Sequence, residues 1–368
     1  MFCYSWVGHS YIRFYSNQNK NLDVTAARFL KLGLAAGCLV FVSLSLTISG
    51  TNAWLLVFTI PVLCMSVFYN FNLNVNQAKQ QAKQVAVAEI MRTAIGISFP
   101  LLAIFFIQPL YAMEILLLSL LLSYMSPLLY LSNKKKNAGD ELMQTPAASS
   151  DIKKQIKDYG IPIAFFVSIS LALTVNDRYL IAHLMDYKSA GNYAAVYDVM
   201  NKGVSFACAP VLMAFFPHIA KQFNDGDKAA AYSSIKKALL LEAVIFFAGL
   251  GGIALFGKFI FEFLLKQPIT AYTMQLVYIL YAGVFVWQAT MLIHKPLELR
   301  LQTKYMALGV FIAFTGNIVA NYFLIKQYHD VMMAAWTTLG SSLLYLFFII
   351  FIIFAKKKAD KTNGILHN

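Results

Sequence analysis

The sequence predicts an all-α, polytopic membrane protein, a bundle of about ten transmembrane helices. Three observations lead there. Apolar and aromatic residues make up 59% of the 368 residues and charged residues only 13%, whereas a soluble domain carries about 25% charged residues. The charges are clustered, leaving apolar runs of roughly 20 residues, the length a helix needs to cross the hydrocarbon core. Lipid offers the backbone no hydrogen bonds, so such runs must close their bonds internally as helices; barrel strands would be about half as long and would alternate polar with apolar.

In chain order, the start (MFCYSWVGHSYIRFYSNQNK) has no basic region followed by an apolar core, so no cleavable signal peptide is expected. The apolar segments are 28–49, 53–73, 90–108, 111–131, 161–184, 190–217, 236–257, 273–294, 304–325 and 331–355. The stretch NQAKQQAKQVAVAEIMR (76–92) is rich in Ala, Gln and Lys, all good helix formers, and is expected to extend the third segment as a helix. It reads as a solvated stalk, with a regulatory or lipid-contacting role as the alternative. Pro61, Pro100, Pro127 and Pro210 fall inside segments and should bend their helices. Bent helices suit a transporter cavity but are also common in membrane proteins generally. The one long polar interruption, 132–158, divides the chain into a four-span bundle (1–131), a basic linker (132–158) and a six-span bundle with a basic tail (159–368).

Orientation follows from Lys and Arg, which collect on the cytoplasmic side of bacterial inner-membrane proteins. With 132–158 in the cytoplasm, 24 of the 30 basic residues fall on that side. They include Lys79, Lys83 and Arg92 before the third span, Lys134 to Lys136 and Lys153 to Lys157 in the linker, and Lys356 to Lys358 in the tail. Both ends are then cytoplasmic. The net charge of +13 is therefore mainly a topology signal, and no nucleic-acid partner is expected. The four cysteines, Cys3, Cys38, Cys64 and Cys208, lack CxxC spacing, and the six histidines lack ligand spacing, so no metal is expected.

Several function classes are excluded by what is missing. There is no Gly-rich phosphate cradle ending in Lys-Ser or Lys-Thr, no HExxH and no nucleophile elbow. Loops are short, leaving nowhere to fold a soluble catalytic domain. A helix bundle without a nucleotide or other cofactor site is most simply a secondary transporter or flippase rather than an enzyme.

Ionisable residues at membrane depth are costly and usually face a cavity or a partner. The fifth span holds Asn176-Asp177-Arg178. The sixth holds Asp198 and Lys202, four residues apart and so on one helix face, flanked by Tyr193, Tyr197 and Asn201. Lys202 lies roughly 18 Å along its span at 1.5 Å per residue, near mid-membrane. The seventh span holds Glu242 near its cytoplasmic end. Each has a structural reading: Arg178 snorkelling to the headgroups with Asp177 as counter-charge, Asp198 and Lys202 as an i,i+4 pair, Glu242 as a helix-packing group. In the functional reading they line a polar cavity. Arg178 and Lys202, with Tyr197 and Asn201, would bind an anionic cargo, while Asp177, Asp198 or Glu242 would exchange a coupling ion or act as charge partners.

The stretch NDRYLIAHLMDYKSAGNYAAVYDVMNKG (176–203) resembles a pattern in polysaccharide (O-antigen type) flippases of the multidrug/oligosaccharidyl-lipid/polysaccharide exporter superfamily, where Asp-Arg-Tyr closes one helix and Gly-x-Tyr opens the next. FFPHIAKQFNDGDKAAAY (215–232) is similar to that family's next cytoplasmic turn, and SWVGHSYIRFY (5–15) to its segment after the second helix. The resemblance implies two pseudo-symmetric lobes, the first lacking its two leading helices, as in a shortened or clipped chain. It implies a lipid-linked oligosaccharide cargo on undecaprenyl pyrophosphate, carried across the cytoplasmic membrane by alternating access for surface polysaccharide biosynthesis. It further implies coupling to a proton or sodium ion, membrane lipids as surroundings, and a polysaccharide polymerase and chain-length regulator as partners. Asp177, Arg178 and Tyr179 match the Asp-Arg-Tyr of the pattern. Three alternatives stay open: a multidrug or cation antiporter of the same superfamily, a membrane-embedded polysaccharide polymerase, and a nonfunctional remnant.

Overall fold

A computed structural model describes residues 2–14, 20–47, 53–79, 81–106, 112–136 and 150–365. Among them the regular structure is entirely α-helical: α1 (Phe2–Phe14), α2 (Lys20–Thr47), α3 (Ala53–Ala78), α4 (Ala82–Phe106), α5 (Ala112–Lys136), α6 (Ser150–Leu184), α7 (Tyr187–Asn224), α8 (Lys228–Leu265), α9 (Ala271–Ile293), α10 (Lys295–Leu299), α11 (Thr303–Tyr328) and α12 (Met332–Ile365). Each of the ten apolar segments falls on its own helix, α2 to α9, α11 and α12. Among the described residues, eight helical stretches are long and apolar enough to cross a membrane. Their outward faces carry large apolar side chains, such as Phe206, Leu255 and Phe259 at 85%, 78% and 71% exposure. Only a hydrocarbon solvent tolerates such a surface. This is a multi-pass membrane protein.

Two stretches differ from expectation. The helix expected over 76–92 is interrupted: α3 runs on to Ala78, and α4 starts at Ala82. At the break the Gln81 N–H donates to the Asn76 carbonyl (3.0 Å). Helix-forming composition is thus not sufficient for one continuous helix, and the stalk shortens to the first turns of α4. In the expected linker, residues 132–136 continue α5 and 150–158 open α6, while 137–149 lie outside the described residues.

The chain forms two compact units, Met1–Ala164 and Phe165–Asn368, dividing within α6. In the first, α5 packs on α3 and α4 around Tyr69, Leu73, Ala88 and Leu131. The short aromatic α1 lies on α2 and α3, burying Val7 and Tyr11. Trp6 meets Phe29 at 5.0 Å and Tyr11 meets Phe71 edge-on at 5.7 Å.

In the second unit, α9 packs between α7 and α12, α12 also packs on α11, and α8 covers α7. Lipid is as apolar as leucine, so close packing rather than the hydrophobic effect holds such helices together. Gly283 shows the consequence: a Cβ there would sit 3.2 Å from the Leu339 backbone, so the bare glycine lets α9 and α12 approach. Short links set the order of the helices. Asp186 caps α7 by accepting from the Ser189 N–H and hydroxyl, both at 2.8 Å. Those bonds hold its exposed carboxyl below the usual carboxylate range. With only Met185 and Asp186 between α6 and α7, the chain doubles back. Residues about two turns before the link then face residues about two turns after it.

Candidate functional site

That doubling back puts a buried carboxylate and an ion pair on consecutive residues of α6. Asp177 is 3% exposed. Its Oδ1 accepts from the Asn321 amide of α11 at 2.7 Å. Its Oδ2 accepts from the Tyr193 hydroxyl of α7 at 2.8 Å and the Thr338 hydroxyl of α12 at 2.5 Å. A second layer holds these donors in place. The Asn176 and Asn321 amides both donate to Asn317 Oδ1 at 3.0 Å. The Thr337 hydroxyl donates to Asn321 Oδ1 at 2.5 Å.

All three donors to Asp177 are neutral, and among the described residues no salt bridge reaches it. A carboxylate buried at membrane depth with neutral donors alone lacks a compensating charge. The groups around it are hard oxygens: the Asp177 carboxylate, the amide oxygens of Asn317 and Asn321, and the hydroxyls of Thr337 and Thr338. Such a set suits a proton or a hard monovalent cation and does not suit a soft transition metal. Among the described residues no group of three or more His, Cys, Asp and Glu could hold a metal ion.

Arg178, the next residue, turns the other way. Its guanidinium pairs with Asp198 of α7 through one terminal nitrogen and lies 5.6 Å over the Tyr197 ring. Its Nε–H is buried and has no hydrogen-bond partner among the described residues. A guanidinium carries five N–H donors in a planar fork, so capacity for an acceptor remains. Tyr193 and Tyr197 stack on each other at 6.1 Å and 18°, so one α7 tyrosine pair touches both Asp177 and Arg178.

Two expected structural pairings are corrected here. Asp177 is not the counter-charge of Arg178, because its oxygens face α7, α11 and α12. Asp198 pairs with Arg178 across the hairpin and not with Lys202 along its own helix, because a fork from α6 reaches it directly. Lys202 is exposed, and neither it nor Asn201 has a hydrogen bond or ion pair among the described residues. Tyr179 is 73% exposed and projects away from the polar centre.

Glu242 lies apart from this centre. It is 2% exposed on the buried face of α8, with one carboxylate oxygen lacking a partner among the described residues and the Cys208 thiol as its titratable neighbour. One turn further along the same face, Ile245 and then Gly249 line a cleft of about 190 Å³ between α7, α8 and α9.

Asn317, Asn321, Thr337 and Thr338 carry no charge and are not among the residues expected at the site. A signal for them exists: two asparagines four apart in one apolar span and a Thr-Thr-Leu-Gly-Ser-Ser run in the next put polar groups on one helix face.

Fold and site together define an α-helical membrane bundle with a polar centre buried in its second half. That fold is found in membrane transporters. The Vibrio cholerae MATE transporter VcmN superposes with a TM-score of 0.73 at 12% identity, over 98% of this chain and 85% of that one. A MATE transporter in a straight conformation gives 0.70 at 16%, over 97% and 85%. A MOP superfamily transporter from Pyrococcus furiosus, described as having a binding pocket of reversed polarity, gives 0.67 at 14%, over 97% and 84%. No protein-family model and no curated protein matches the sequence. Identities this low carry the fold, that of MATE transporters of the MOP superfamily, and nothing finer.

Proposed function

We propose that the protein is a secondary transporter of the cytoplasmic membrane that flips an anionic, lipid-linked oligosaccharide by alternating access. The cargo would be carried on undecaprenyl pyrophosphate and serve surface polysaccharide synthesis. The observation that carries this reading is the Arg178 guanidinium, held over Tyr197 with a buried, unpartnered Nε–H. Lys202 stands four residues beyond Asp198 on the same face of α7. Arg178 and Asp198 cancel, which leaves Lys202 as the net charge. The planar fork with donors to spare is suited to phosphate oxygens. Asp177, surrounded by neutral oxygens and amides, is the coupling site for a proton or sodium ion. Asp198 is then a charge partner and not an ion site. The bias of Lys and Arg along the sequence supports cytoplasmic ends.

One observation favours a second reading, export of cationic drugs: Asp198 neutralises Arg178 and lowers the positive charge of the site. Complementation separates the two. In a strain lacking its oligosaccharide flippase, the protein should restore surface polysaccharide. Arg178→Ala and Lys202→Ala should each reduce that restoration at least about tenfold while leaving membrane insertion intact. Full restoration by both variants, or drug resistance without any restoration, would discard the anionic-cargo reading.

A further inference from the structure

Asp177 and Arg178 are consecutive, and their side chains leave α6 about 100° apart. Asp177 is engaged by α11, α12 and Tyr193, whereas Arg178 is engaged by Asp198 and Tyr197. No bond links the two directly. What both touch is α7, through residues four apart on one face. Tyr193 and Tyr197 are 1% and 6% exposed and stacked on each other. In close packing neither ring shifts without displacing the other.

We propose that Tyr193 and Tyr197 are positioning residues that couple ion occupancy at Asp177 to anion binding at Arg178, an inference that rests on the transport reading above. The linkage is electrostatic at one end and mechanical at the other. Asp177 Oδ2 accepts two hydroxyl protons, from Tyr193 and Thr338. A cation bound to that oxygen repels both, so each hydroxyl must turn an oxygen lone pair towards the ion or withdraw. Thr338 can do so by rotating one bond. The Tyr193 oxygen lies 3.2 Å from the Thr338 oxygen, so a Tyr193 proton turned away from the ion can realign only on that oxygen, and aligning on it moves the ring. That movement passes through the stack to Tyr197, and from there to the guanidinium over it. Around Asp177, α11 and α12 contribute the neutral Asn317, Asn321, Thr337 and Thr338, and α7 contributes Tyr193. The charged groups on the far side of the stack are Arg178 and Asp198.

Coupling of this kind is reciprocal and typically changes affinity about 5- to 150-fold. The test uses the full chain in nanodiscs with farnesyl pyrophosphate as the probe. Its dissociation constant is measured with sodium against choline at constant pH, then at two pH values in choline. The intact protein should show at least about a fivefold ratio between ion-rich and ion-poor conditions in one of these series. Tyr193→Phe should lower that ratio below about twofold while the probe still binds. Tyr197→Leu should do the same, although it makes no contact with the carboxylate, which separates uncoupling from damage to the ion site. Thr338→Val should raise the ion concentration needed but keep the ratio at saturation. An unchanged ratio in both tyrosine variants overturns the inference. So does an intact protein that binds the probe without any ion dependence, an outcome that leaves the anionic-cargo reading standing. Failure of the intact protein to bind the probe overturns both.

Discussion

Polar side chains are handled differently in the two units of this molecule. In the first, four side chains of α3 fold back onto their own helix. On α3, the Ser66 hydroxyl donates to the Leu63 carbonyl, and the amides of Asn70, Asn72 and Asn76 donate to the carbonyls of Ser66, Phe68 and Asn72. In the second unit, polar groups of α6, α7, α11 and α12 reach across to other helices, over separations of 16 to 161 residues, and converge on Asp177. A side chain that bonds its own backbone satisfies itself and specifies nothing about its neighbours. One that bonds another helix fixes a register and becomes expensive to remove. Those α3 side chains therefore fix no partner helix, whereas the second unit gathers its polarity around one buried carboxylate.

The largest effect that would break this contrast is expected at Asp177. Replacement by alanine strips the acceptor from Asn321, Tyr193 and Thr338 together. Hydrogen bonds in membrane proteins average about 0.6 kcal/mol, but orphaned buried donors cost about 1 kcal/mol or more each. Asp177→Ala should therefore destabilise by about 3 kcal/mol, read by reversible unfolding in mixed micelles, and abolish ion-dependent transport. Asp177→Asn keeps the volume but turns an amide N–H2 towards hydroxyl donors, and it should lose the ion dependence at a smaller stability cost. A loss under about 1 kcal/mol for the alanine variant would mean that the cross-helix network does not hold the second unit together.

Legibility in the sequence followed the same divide. The ten helices were readable because hydrocarbon thickness and backbone satisfaction act on continuous stretches of chain, and each segment carries its own signal. Arg178, Asp198, Asp177 and Tyr197 were found as charges or aromatics at membrane depth. Their partners were not: Asp177 is satisfied from residues 144 and 161 positions away, and Asn321 or Thr338 in an apolar span reads locally as a group bonding its own backbone. The Asp198–Lys202 spacing suggested a pair because i,i+4 geometry is all that one helix reveals. The stronger competitor came from the preceding helix, through a two-residue link whose tightness matters only in three dimensions. The break between Ala78 and Ala82 was missed for the opposite reason, since Ala, Gln and Lys give no breaking signal.

A smaller effect is expected at the cross-helix cluster of the first unit. Tyr69 of α3 donates to Glu89 of α4 at 2.9 Å, and Arg92 pairs with the same carboxylate at 2.8 Å. The ion pair is more than a third exposed on both sides, so solvent screens it. Arg92→Ala should cost about 0.5–1 kcal/mol, because Glu89 keeps its Tyr69 donor. A loss equal to that of Asp177→Ala would show that the first unit also depends on a long-range polar centre, and the contrast would fail.

The smallest effect sharpens the comparison most. Asn70 donates to the Ser66 carbonyl at 2.7 Å, an oxygen that already accepts from the helix backbone, so removing the amide orphans nothing. Alanine is the better helix former by up to about 0.7 kcal/mol, which offsets a bond worth about 0.6 kcal/mol. Asn70→Ala should therefore stay within about 0.5 kcal/mol of the parent, in either direction. Asn321→Ala makes the same chemical change in the second unit but takes a donor from Asp177 and an acceptor from Thr337, and should cost about 1.5–2 kcal/mol. The two variants make the same substitution and differ in where the lost amide pointed and in burial, Asn321 being buried and Asn70 half-buried. Equal unfolding free energies for the pair would mean that direction has no energetic weight, and that the convergence on Asp177 is an accident of packing.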